Sequence, residues 1–337
     1  QVREIDLSAS GETKAPYIFD MTGSANGEVS LRAKRFYGVF LAFMGFLVET
    51  PDSLFIRLAE MEQGVGCCTF YKYLTKAVVM WVGLLVYFGG PHAFIVECSK
   101  SGWHFLLAAF CEGSFCLLWN LAIMTTASAN VAALVLLNPM WCIMWTFLLT
   151  WERTPRYTVI AATITFVCGL VIFVRSRSST RGVESLLGDL LAVLCGMAFG
   201  LYLTVCADAS KRYPEANLMG AIAVGASIAT AGAYVLIDGN IFEDCYPQNG
   251  VPGYFWAVSD GLLAMVTFVL LSLSTKHCPS AVTGLLLIVD LIVEPYLVWL
   301  FLGEQPLQTT VVVGAILCVT LATHEVIAFY DTAEKAL

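Results

Sequence analysis

Asp290 and Glu294 stand one helical turn apart in the apolar run "GLLLIVDLIVEPYLVWLF". Two carboxylates that close in a low dielectric do not ionise together near neutral pH, so one is expected to hold a proton. That chemistry suits proton coupling or the capture of an amine. A second acidic group occurs in "FLVETPDSLFIR", residues 46–57. Glu49, Asp52 and Ser53 are spaced three and four residues apart and share one helix face. Pro51 cannot donate to the Leu47 carbonyl, and its ring crowds that turn, which predicts a kink. A kink at membrane depth is tolerated where the freed backbone lines protein or water. This face is therefore expected to turn toward a cavity, the alternative being a helix end among lipid headgroups.

Glu112 and Asp260 are lone acids among apolar neighbours, and charge that deep normally faces a cavity or a partner. Lys76 is the candidate partner for Glu112, and Lys72 is expected to snorkel to the interface. Asn138-Pro139 and Glu294-Pro295 each set a polar residue directly before a proline, with kinks expected at Pro139 and Pro295. Tyr202 could offer a hydroxyl to the same cavity, although a lone aromatic more often packs. The four histidines have no HxxxH or HExxH spacing, so neither a metal nor a cofactor is expected. No Walker-type loop and no protease motif appears, and the chain reads as a non-enzyme.

Bilayer-spanning helices must position these residues. Of 337 residues 58% are hydrophobic and only 13% charged, against about a quarter charged in a soluble domain. Mean hydropathy is +0.76. With a formal charge of −8 and no basic patch, nucleic acid is excluded as a partner. Ten apolar runs, each about 20 residues long, fall at 35–58, 67–89, 103–125, 128–149, 156–174, 187–207, 216–237, 253–274, 279–302 and 307–329. Residues 1–34 read as a disordered tail, 175–186 as a linker and 330–337 as a C-terminal tail. The cysteines, scattered through apolar runs, read as small buried hydrophobes. Lys and Arg in the short loops place both termini in the cytoplasm, although the basic 175–186 loop lies on the opposite side.

"ASANVAALVLLNPMWCIMWTFLLTWER" (127–153) overlays "PSAVTGLLLIVDLIVEPYLVWLFLGEQ" (279–305), matching Ser128 to Ser280, Ala129 to Ala281 and Glu152 to Glu304. Glu152 and Glu304 are expected to end helices and cap the next. That offset gives each half five helices, and an odd number predicts two inverted repeats, 35–174 and 187–329, with a substrate site between them near the midplane. These stretches, with "LLGDLLAVLCGMAFGLYLTV", resemble the EamA branch of the drug/metabolite transporter superfamily. The resemblance implies an all-α carrier of ten transmembrane helices, five plus five. It also implies a central cavity lined mainly by helices 1, 3, 4, 6, 8 and 9.

The expected function is secondary transport of a small polar metabolite by alternating access. Candidate binding or coupling residues are Glu49, Asp52, Ser53, Glu112, Asn138, Tyr202, Asp260, Asp290 and Glu294. At mid-span, Glu49, Glu112, Asp260, Asp290 and Glu294 outnumber Lys76, with Arg57 and Lys72 nearer the ends. That imbalance favours an amino acid or organic amine, with protons as candidate co-substrate. Alternatives are a sugar-phosphate or nucleotide-sugar exchanger, or a non-transporting channel or scaffold. The "FYNN" and "GALNK" stretches typical of nucleotide-sugar carriers are missing. The expected location is the plasma membrane, with an organellar membrane as alternative, and a homodimer is a candidate assembly.

Overall fold

The computed structural model describes residues 27–63, 65–126, 128–179, 186–236, 253–303 and 308–334. They form fourteen helices with no strand among the described residues. Ten stretches are long and apolar enough to cross a membrane, here called spans 1 to 10 in chain order. They are Arg32–Ala59, Gly66–Phe88, Gly102–Thr125, Asn130–Thr150, Arg156–Arg175, Leu186–Ser210, Glu215–Val235, Gly253–Thr275, Ser280–Leu302 and Val311–Asp331. Each apolar run read from the sequence falls on one of them. Residues 1–26, the acidic stretch 238–250 and Glu304 lie outside the described residues.

The first helix starts at Gly27, so residues 27–34, expected in the tail, are helical. The Arg32 guanidinium lies 4.8 Å from the Phe329 ring centre, and Arg35 pairs with Glu325 at 3.4 Å. Both contacts tie this helical start to span 10. The helix of span 5 likewise runs on to Ser179, into the expected linker. Glu152 pairs with Lys211 at 3.0 Å rather than serving only as a helix cap. Cys67 is disulfide-bonded, which corrects the reading of the cysteines as thiols throughout. It sits near the start of its span and is buried, as are nearly all the free cysteines among the described residues.

Three spans are interrupted. In span 1, helices Gly27–Glu49 and Asp52–Gln63 flank Thr50-Pro51. The Leu47 carbonyl, which Pro51 cannot serve, accepts the Thr50 hydroxyl at 2.9 Å. This satisfies a backbone acceptor for which lipid offers no donor. Span 4 breaks at Leu136-Leu137, ahead of helix Asn138–Thr150, and Pro139 sits in the first turn, where its missing N–H is harmless. Span 9 breaks at Leu286-Leu287, and helix Ile288–Leu302 runs straight through Pro295. Spans 4 and 9 both end on a left-handed residue, Trp151 (φ 57°) and Gly303 (φ 74°).

Span 3 packs along span 6, and span 8 along span 1. Span 7 lies against spans 2 and 3, and span 2 also meets span 8. Span 4 meets span 9, and span 5 meets span 10. Phe46, Tyr73, Phe115, Trp119, Phe199 and Phe268 belong to one buried core at the centre of this packing. Polar side chains also reach that centre, some paired with one another and some with a buried atom that has no partner among the described residues.

Candidate functional site

The interruption at Thr50-Pro51 starts a new helix at Asp52, whose carboxylate is turned into the bundle and buried. Its Oδ1 takes the Lys72 ammonium of span 2, and its Oδ2 accepts the Trp119 indole N–H of span 3 at 2.7 Å. The same Lys72 Nζ lies 3.0 Å from Asp260 Oδ2 of span 8. Lys72 is 1% exposed, so the expectation that it snorkels is corrected. Two carboxylates hold the ammonium inward against the gain from reaching water. Span 8 comes this close because of Gly261, where an added Cβ would lie 2.2 Å from the Lys72 carbonyl oxygen.

Glu49, Asp290 and Glu294 gather beside this group. Asp290 lies next to Glu294 and within the electrostatic reach of Glu49 and Asp52. Glu294 is beside Ser53, with Arg57 nearby, and Glu49 lies against Thr267 of span 8. Glu49 and Asp290 make no ion pair among the described residues, and one buried oxygen of each accepts no hydrogen bond there. Asp290 occupies the first turn of Ile288–Leu302, where the interrupted helix presents the positive end of its dipole.

Lys76 and Glu112 form a second, fully buried pair between spans 2 and 3. The Lys76 ammonium also sits 3.4 Å from the centre of the Phe268 ring, a cation–π contact. Span 7 closes over the pair at Gly225, where an added Cβ would lie 2.0 Å from Glu112 Oε2 and 2.7 Å from the Ala109 carbonyl. Gly225→Ala is expected to lower stability by about 1–3 kcal/mol through overpacking. Thermal unfolding in detergent checks this, with Gly83→Ala as control, since a Cβ at Gly83 meets nothing.

Tyr202 and Asn138 make no hydrogen bond to any of these acids among the described residues. The Tyr202 hydroxyl pairs with Ser272 Oγ at 2.8 Å, and its ring packs on Phe268. Asn138 accepts the Cys142 thiol at 3.1 Å against Gly200 of span 6. Trp119 was missed in the sequence. It stands seven residues after Glu112, on the same helical face, and that spacing could have found it.

The centre thus holds six carboxylates, Glu49, Asp52, Glu112, Asp260, Asp290 and Glu294, against Lys72, Lys76 and nearby Arg57. No protein-family model matches the chain, and no curated protein does. Among the solved structures similar to it is a crystal structure with a TM-score of 0.67 and 14% identity, covering 86% of this chain and 98% of its own. A likeness at that identity establishes the fold alone.

Proposed function

We propose that the chain is a secondary carrier of the EamA type that moves a zwitterionic or cationic metabolite, an amino acid or organic amine, by alternating access. The observation that carries this reading is the pair of Asp290, buried, and Glu49, half-buried, each with one buried carboxylate oxygen and neither with a basic partner among the described residues. Buried carboxylates in that position call for a cation, and a substrate ammonium or a proton supplies it. A phosphate group would instead meet repulsion strengthened by the low dielectric.

The inverted five-plus-five plan belongs to this proposal, and the packing supports it. Exchanging spans 1 to 5 for 6 to 10 turns each neighbour pair described above into another of them or into itself: 3 on 6 into 8 on 1, 7 on 3 into 2 on 8, with 2 on 7, 4 on 9 and 5 on 10 unchanged. The left-handed ends of spans 4 and 9 match in the same frame. Cytoplasmic termini follow from the loop charges, and the disulfide at Cys67 adds support. It lies at the end of the bundle opposite Arg35, and disulfides persist on the oxidising side of a membrane.

The two buried lysines give a phosphate-ester exchanger its best argument, but each already holds a carboxylate. Purified protein in proteoliposomes decides between them. Saturable uptake of amino acids or amines, competed by one another and not by phosphate esters, is the expected result. Competition by phosphate esters with amines inert would overturn the proposal, and unsaturable flux would point to a channel.

A further inference from the structure

We infer that Lys72 is a tethered competitor for the substrate's cation, held at Asp52 in one state and handed to Asp260 when a substrate ammonium takes its place. The inference rests on the amine-carrier reading and adds to it the counter-charge switch inside the site. Lys72 lies between two carboxylates that are not equivalent. Asp52 is fully engaged, with the ammonium on one oxygen and Trp119 on the other. Asp260 is 0% exposed, lies 3.0 Å from the ammonium, and neither of its oxygens accepts an aligned hydrogen bond.

A buried carboxylate whose one ion pair lacks hydrogen-bond alignment is a costly arrangement, and a state in which the ammonium turns fully to it would relieve that cost. Here a small rotation of the lysine end would use it. Gly261 keeps span 8 on the Lys72 backbone, so the second acceptor stays in register. Asp52 immediately precedes Ser53, which lies beside Glu294. Once released by Lys72, Asp52 joins the Glu49–Asp290–Glu294 group as a fourth carboxylate facing an incoming amine. Lys76 is the contrast within the same span, with one acid, an aromatic ring and no second ion pair among the described residues.

The test measures binding of putrescine, arginine and leucine to the full chain in detergent, from the concentration dependence of thermal unfolding. Asp260→Asn removes the charge of the second carboxylate, leaving a neutral amide oxygen that competes poorly with Asp52 for the Lys72 ammonium. If the competent state becomes a tenth as populated, apparent affinity for the bound probe falls about tenfold. Lys72→Met/Asp260→Asn removes one charge of each sign and frees Asp52, so affinity is expected to return to the wild-type value or exceed it. A double variant as weak as Asp260→Asn, or an Asp260→Asn variant as tight as wild type, overturns the switch while leaving the carrier reading intact. Should Asp260→Asn fail to fold, the double variant is compared with wild type directly, and weaker binding overturns the inference. If wild type binds none of the three probes but binds glucose 6-phosphate, the amine reading fails and takes the switch with it.

Discussion

Glu112→Gln is expected to destabilise the protein by about 3–5 kcal/mol, because it strands the Lys76 ammonium in a dry site. Lys76 and Glu112 are both fully buried, and the Phe268 face alone does not replace a carboxylate. Lys76→Met is expected to cost a similar amount by stranding Glu112. The Lys76→Met/Glu112→Leu double variant, which removes both charges and keeps comparable volume, should regain most of the loss. Unfolding midpoints in detergent read all three. A double variant no more stable than the singles would show that the pair matters for something other than its own neutrality.

The second large effect is on the proposed transport. Glu294→Gln and Asp290→Asn each remove one titratable carboxyl from the group proposed to meet a substrate ammonium. Each is expected to lower kcat/KM for the transported amine by about 10–100-fold, corresponding to roughly 1.4–3 kcal/mol for a charged hydrogen bond. Each should also change the shape of the pH–rate profile, since adjacent carboxylates titrate as a unit. Initial rates in proteoliposomes across a pH series check this. If both variants keep the wild-type profile, proton coupling through the pair is wrong, and if both keep the wild-type rate, the substrate site lies elsewhere.

Much of this arrangement is legible in the sequence. Ten spans can be read because about 20 consecutive apolar residues have few other uses. The bend at Pro51 can be read because proline removes a specific hydrogen bond. The Lys76–Glu112 pair follows from the cost of unpaired charge. Lys72 was misplaced because distance from a span's end stood in for depth. Its inward turn depends on Asp260, nearly two hundred residues away, and on a glycine whose closeness only the packing reveals. The break at Leu286-Leu287 has no signal at all in "GLLLIVDL", whereas the matching break in span 4 is announced by Asn138-Pro139. Proline draws attention to itself, and a helix broken by its packing does not.

The placement of the two lysines also bears on how the chain enters the membrane. Span 2 is the least apolar of the ten and carries both Lys72 and Lys76. Inserted alone it would face a penalty of about 5–7 kcal/mol for two ammonium groups at depth. Their acids are supplied by its immediate neighbours in chain order, Asp52 just before and Glu112 just after. Once the third span has left the ribosome, each lysine has a carboxylate of its own, long before Asp260 is made. The first three spans therefore form a self-neutralising packet that can leave the translocon together, and the order of the genetic message is itself part of how these charges reach the interior.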